Sequence, residues 1–255
     1  MRKPSLMLLA TAIIGLGASQ ASAADLPRKA PAYVPPAPPP FSWTGCYVGA
    51  NIGAGWQKNR PLDPLLPIDL GDVTDTGIVG GGQIGCDYQF AGSGFVVGFQ
   101  GMFDGAGING SAFLPFAYAG DTTMSYAFKT DWFGTLTGRA GYAVMLQALL
   151  YIKGGGAWVH TKNTNADPSG TFYPPYEGTA SVTRSGWLIG AGLEYAFWRN
   201  WSVFVEYNYI DLGNRNLSLT YDCGGSCGFA NPYTFQDKQT LQTVLVGVNW
   251  RFGGL

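Results

Sequence analysis

Residues 244–252 read VLVGVNWRF. Val244, Val246, Val248, Trp250 and Phe252 alternate with Thr243, Gly247, Asn249 and Arg251. A period of two marks a β-strand whose two faces meet different surroundings. Here the apolar face is large and aromatic, and the other face is small, polar or charged. Working back along the chain, the same rule recurs. Val203, Val205, Tyr207 and Tyr209 oppose Glu206 and Asn208. Trp187, Ile189, Ala191, Leu193, Tyr195 and Phe197 oppose Gly190, Gly192 and Glu194. Leu150, Ile152 and Trp158 oppose Tyr151, Lys153 and Gly155, and Trp132, Leu136, Ala140 and Tyr142 oppose Asp131, Thr135, Thr137 and Arg139. Earlier still come Phe95 to Asp104, Gln83 to Phe90 and Cys46 to Trp56, which makes eight segments.

No Asp, Glu, Lys or Arg falls on the apolar register in any segment. Asp87, Asp104, Asp131, Arg139, Lys153, Glu194, Glu206 and Arg251 fall on the other one. A soluble sandwich or lipocalin-like barrel would put charge outward and aromatics inside. The inverted pattern suits a barrel in lipid, where an outward Arg or Lys near mid-bilayer costs roughly 2–4 kcal/mol. With their flanks the segments reach the ~9–11 residues of a tilted spanning strand. The expected fold is all-β: an eight-stranded antiparallel up-and-down transmembrane β-barrel.

Composition agrees. Only 12% of the 255 residues are charged, against about 25% in a typical soluble domain, while 15% are aromatic and 38 residues are Gly. Beyond the first 20-odd residues no run of about 18 apolar residues exists. An apolar content of 46% argues against disorder. Nothing supplies the basic stripe that nucleic acid requires.

Met1-Arg2-Lys3, the apolar run Leu6 to Gly17 and Ala21-Ser22-Ala23 form a secretory signal, cleaved after Ala23. Export makes disulfides possible. Residues 24–42 are a Pro-rich tail containing PRKAPAYVPPAPPP (27–40), extended and semi-rigid. Residues 43–255 hold the barrel. Connections after the second, fourth and sixth segments are short (91–94, 143–147, 198–201); those after the first, third, fifth and seventh are longer and rich in Gly, Pro, Asp and Asn. In bacterial outer membranes short turns are periplasmic and long loops extracellular. Both termini are therefore expected in the periplasm. Trp43, Trp56, Trp132, Trp158, Trp187, Trp201 and Trp250 suit aromatic girdles.

The strings WTGCYVGANIGAGW (43–56), GGGQIGCDYQF (80–90), GRAGY (138–142), GAGLEYAF (190–197), FVEYNYIDLG (204–213) and VGVNWRFG (246–253) appear in this order. Together with an ADLP start at Ala24, they resemble the alphaproteobacterial outer-membrane immunogenic proteins. These are porin-like, opacity-type relatives of the OmpA eight-stranded barrel. The resemblance covers Ala24 to Leu255. It implies a surface antigen of a Gram-negative outer membrane, surrounded by outer-membrane lipid and lipopolysaccharide. It also implies a terminal aromatic read by the barrel-assembly machinery, here Phe252. Strand four departs from the family's T-x-R-G-R pattern, with Thr137 two residues before Arg139 and no second Arg.

Candidate chemistry is sparse. GAGING (105–110) is formally a GxGxxG, but it ends a strand and opens no helix. His160 is the only histidine, and Thr161 and Lys162 follow it where a lipid-modifying barrel would need a suitably spaced Ser. Metal and cofactor sites are not expected, because one His and bridged cysteines do not make a ligand set. Cys223 and Cys227 in CGGSC are expected to pair within the last long loop. Cys46 and Cys86, outward on adjacent strands, are expected to pair across them. Zinc is the competing reading.

Up-and-down threading puts Asp87, Arg139, Glu194 and Arg251 late in descending strands, and Lys153 and Glu206 early in ascending ones. All six are expected at similar depth in the periplasmic half, pointing inward as a paired network in a narrow lumen. The functional expectation is a structural, non-enzymatic, porin-like barrel with a narrow or plugged lumen and antigenic loops. The alternative is an outer-membrane enzyme or a ligand-capturing receptor, for example for haem through His160, Tyr173 and Tyr176. Diffusive conductance without turnover separates the first from the second.

Overall fold

The computed structural model describes residues 41–62, 72–113, 125–168, 175–225 and 231–253. The signal segment, nearly all of the Pro-rich tail, Tyr173 and Cys227 lie outside these residues, so the expected Cys223–Cys227 bridge does too. Eight strands follow in order: β1 (Gly45–Leu62), β2 (Val73–Gln89), β3 (Phe95–Phe113), β4 (Ser125–Met145), β5 (Ala148–Asp167), β6 (Tyr176–Trp198), β7 (Trp201–Asp222) and β8 (Tyr233–Phe252). Each pairs antiparallel with its neighbour in the chain, and β8 pairs with β1 to close the barrel. Closure leaves no edge of unpaired backbone groups, the only sheet arrangement that hydrocarbon tolerates. Residues 90–94, 146–147 and 199–200 make the connections at one end, and 63–72, 114–124, 168–175 and 223–232 those at the other. In the 90–94 turn Gly92 adopts φ +71°, a conformation that a Cβ makes costly.

The alternating register divides the side chains as the sequence pattern requires. Ile84, Phe99 and Ile152 are 58–65% exposed on the outer wall, whereas Glu194 and Glu206 are at most 1% exposed inside. The strands run further toward the long connections than the eight segments do. There the pattern changes to that of a soluble protein: Leu217, Leu219 and Tyr221 are buried, and Asn216, Ser218 and Thr220 face solvent. A search for outward apolar residues stops where that change begins, which is why it reads these strand ends as loops.

Two sequence assignments are overturned. Asp131 does not face the lumen. The β4–β5 register shifts between Thr130 and Trp132, while Thr130 and Phe133 are both fully buried. The extra residue of this bulge turns Asp131 outward, within 2.9 Å of Lys162 and 3.7 Å of Lys129. Trp43 is not in a girdle. It lies just before β1, fully buried, with Phe41 against it edge-on.

Glycine on the inward register has a packing role. Tyr47 lies over Gly85, Tyr151 over Gly192 and Phe204 over Gly247, each pair directly opposed across two strands. Glycine lets a large ring lie flat against the neighbouring backbone, which an eight-stranded interior needs if side chains are to fill it.

Cys46 and Cys86, directly opposed on β1 and β2, form a disulfide with a Cα–Cα distance of 3.9 Å. The closed loop spans a sequence separation of 40 residues. Loop-closure entropy puts the loss on Cys46→Ser with Cys86→Ser at about 2–4 kcal/mol. Urea unfolding of this double variant beside the wild-type chain, both under oxidising conditions, measures it. An unchanged midpoint would show that the barrel gains nothing from the bridge.

Candidate functional site

At the short-turn end, alternation and strand tilt aim β2, β4, β6 and β8 side chains at one point. Arg139 on β4 donates from Nε to Asp87 Oδ1 on β2 at 2.7 Å and from Nη1 to Glu194 Oε2 on β6 at 3.1 Å; its Nη2 also contacts Asp87. Arg251 on β8 donates from Nη1 to Asp87 Oδ2 and from Nη2 to Glu194 Oε1, both at 2.8 Å. Each carboxylate therefore meets both guanidiniums. Ser202 and Asn249 donate to Glu194 Oε1 at 2.6 and 2.9 Å. Aromatic faces cover the cations: Arg139 lies 4.8 Å from the Tyr47 ring and 4.9 Å from Tyr151, and Arg251 lies 4.7 Å from Trp43. Burying this many charges is tolerable only when each is matched and hydrogen-bonded.

Lys153 on β5 and Glu206 on β7 make a second pair at 2.6 Å. Tyr151 and Asn208 each donate to Glu206 at 2.9 Å. A relay of amides joins the two groups. Lys153 donates to Gln100 at 3.0 Å, Gln100 to Gln83 at 2.8 Å, Gln83 to Asn249 at 2.7 Å, and Asn249 to Glu194. All six charged residues singled out from the sequence thus stand in one connected network. The amides, Tyr47, Tyr151 and Trp43 escaped the sequence reading. For the amides and the two tyrosines the only signal was a place on the inward register, which they share with many residues of no special role; Trp43, before the first strand, had none.

Trp43 covers the mouth at this end. Its backbone N–H donates to Gln89 Oε1 at 3.0 Å, and Arg251 donates to its carbonyl oxygen at 3.1 Å. Further along the strands the interior becomes apolar: Phe133 faces Val159, and Leu188, Ile210 and Leu241 form a cross-strand ladder, each at most 2% exposed. Beyond them comes a second polar layer. In it Thr130 meets Gln57 and Thr161, Gln239 donates to Thr161, and Arg184 pairs with Asp237 at 2.9 Å. The Arg184–Asp237 pair lies outside the eight alternating segments, so the alternation holds no cue to it.

The remaining candidates are accounted for by packing. GAGING lies within β3, with Ala106 and Ile108 buried in the interior. His160 stacks on Trp132 on the outer wall, with Thr183 3.0 Å from Nδ1 and Ser181 3.2 Å from Nε2. These hydroxyls come from the neighbouring strand, where spacing along β5 could not reveal them. Tyr176 is turned inward against Tyr221, edge-on at 5.2 Å. Glu194 and Glu206, two buried carboxylates that could suggest acid–base chemistry, are each paired with cations.

A closed eight-stranded wall with apolar residues outside and matched charges inside is the pattern of an outer-membrane barrel. The family model described as outer membrane protein beta-barrel domain matches residues 9–252. The chain belongs to that family. Among similar members, a 31 kDa outer-membrane immunogenic protein of Brucella melitensis is 34% identical over 253 residues, covering 96% of this chain and 99% of the relative. A 25 kDa outer-membrane immunogenic protein of Brucella abortus is 28% identical, with 97% and 98% covered. Among solved structures, the outer membrane protease OmpT of Escherichia coli aligns over 85% of this chain and 99% of its own, with TM-score 0.48 and 10% identity. The outer membrane protein OprG of Pseudomonas aeruginosa aligns over 83% and 97%, with TM-score 0.46 and 12% identity. The family places this chain in the outer membrane of a Gram-negative bacterium.

Proposed function

We propose that this protein is a structural, non-catalytic surface barrel whose lumen is closed, so that its kinship to porins does not extend to bulk diffusion. The connected charge network carries the reading, and the cover of Trp43 and the apolar layer behind it add to it. An interior of eight strands is only wide enough for side chains, and here those side chains bond to one another across it. Planar-bilayer recording of the purified full chain tests this. Expected are small or intermittent openings; a large, steady conductance would overturn the closed-lumen reading.

Both termini lie in the periplasm in this reading, and the long connections face outward as antigenic loops. The rhythm of short turns and long connections supports it. A tag inserted at Gly225 is expected to be accessible on intact cells and a cysteine label at Ser93 is not; the opposite result would invert the orientation. Phe252 serves as the signal for the assembly machinery. It ends β8 on the outer wall, with its ring 5.4 Å from Trp250. Phe252→Ala is expected to reduce outer-membrane insertion more than deletion of Leu255 does, as read by heat-modifiable gel mobility. Equal insertion would remove the signal from this residue.

A further inference from the structure

Asp104 on β3 stands apart from the matched charges. Asp87 and Glu194 meet Arg139 and Arg251, and Glu206 meets Lys153. No described cation lies within ion-pair distance of Asp104. Its side chain is 0% exposed, and neither carboxylate oxygen has a hydrogen-bond partner among the described residues. Phe133 of the apolar layer directly opposes it on β4, so the carboxylate lies where the polar interior meets that layer. A buried charge is ordinarily paired or bound to a cation, and an unsatisfied buried group asks for a partner.

Two more unsatisfied groups flank it. Asn51 on β1, Gly81 on β2 and Asp104 stand directly opposed in one row across three strands. A Cβ at Gly81 would lie 2.6 Å from Asp104 Oδ1, so the carboxylate leans over bare backbone toward Asn51. Asn51 is 7% exposed, and neither atom of its amide is hydrogen-bonded. Thr135 on β4 is the diagonal neighbour of Asp104 on the same face, 5% exposed, and its hydroxyl also lacks a partner. Lys153 and Glu206 act on Asp104 as well, but their charges cancel. The local surplus is one negative charge.

We propose that Asp104, Asn51 and Thr135 hold a small monovalent cation, of the sodium or potassium class, inside the barrel. A carboxylate, an amide oxygen and a hydroxyl are hard oxygen donors, unlike the histidine and thiolate set that zinc takes. The charge balance selects a single positive charge. A calcium ion takes about 6–8 oxygen ligands with carboxylates among them, and only one surplus carboxylate stands here. The site depends on the burial of Asp104, not on the orientation of the barrel or on the closure of its lumen. The ion is taken up as the barrel folds, so its affinity appears as stability.

The test is urea unfolding of the full mature chain in detergent, with sodium chloride replacing N-methyl-D-glucamine chloride, whose cation is too large for the site. Constant ionic strength removes general screening. Once sodium exceeds its dissociation constant, the folding equilibrium constant is expected to rise about tenfold for each further tenfold in sodium. The same slope with potassium supports the site equally. D104N is expected to lose the dependence, and D131N, which changes a carboxylate on the outer wall, is expected to keep it. N51A and T135A are each expected to need more sodium for the same gain, and they carry the test should D104N not fold. A wild-type midpoint indifferent to both alkali cations would overturn the proposal. So would D104N, or both N51A and T135A, keeping the wild-type dependence, and so would calcium outdoing both alkali cations at equal ionic strength. A large, steady conductance in bilayers would overturn the closed lumen and leave each of these outcomes readable, so the two readings fail separately.

Discussion

Arg139→Ala destabilises the folded barrel by about 3–5 kcal/mol, the usual cost of stranding a buried charge. Arg139 is the shared partner of Asp87 and Glu194, with side-chain exposures of 1%, 0% and 0%. Removing it leaves two carboxylates to one guanidinium, Arg251, in an interior without bulk water to compensate. The lost stacking on Tyr47 and Tyr151 adds to the cost. Replacing Asp87 by Asn in the same chain removes the surplus charge, so the double variant D87N/R139A is expected to be more stable than R139A alone. Urea midpoints followed by the gel-mobility shift of the folded barrel read both effects. The same single variant is expected to raise the open probability in planar bilayers. An R139A protein as stable and as closed as wild type would show that the network has no structural role.

Gly247→Val is expected to cost about 1–3 kcal/mol, the usual range for overpacking, and to slow refolding. A Cβ at this position would lie 2.5 Å from the Phe204 ring and closer still to the Ala50 carbonyl oxygen. The ring has little room to retreat, because it packs into the apolar cluster inside the barrel. Phe204→Ala in the same chain removes one collision and leaves the backbone one, so rescue is expected to be partial. Gly110→Val is the contrasting case: its nearest neighbours are all atoms of Phe128. Phe128→Ala is therefore expected to abolish the penalty of the glycine substitution there. A double-mutant cycle at each pair measures the difference. Equal rescue at both positions would contradict the geometric account.

The strand pattern, the sense of its inversion and the opposition of Cys46 to Cys86 were all legible in the amino-acid order. The reason is that burial on a strand alternates residue by residue, so each segment reports its own two environments locally. The same pattern misled at Asp131, where a bulge adds one residue and reverses the faces, and at Trp43, where an aromatic before the first strand turns into the mouth of the barrel. Neither event leaves a period to read.

Which inward side chains meet was decided only by closure. Arg139 on β4 reaches Asp87 on β2 and Glu194 on β6, strands that share no ladder with β4. The relay through Gln100, Gln83 and Asn249 crosses from β3 to β2 to β8. Sequence spacing measures distance along one strand, whereas these contacts depend on the tilt and curvature that bring strands together across the lumen. The apolar layer of Phe133, Val159, Leu188, Ile210 and Leu241 was hidden for a related reason. An apolar residue on the inward register looks like an exception to the alternation until a closed wall places several such residues at one height. The amino-acid order by itself determined that the chain would form a barrel with charge inside and hydrocarbon outside. The closed tertiary structure alone decided which inward side chains meet, because those contacts depend on the distances between walls that no single strand encodes.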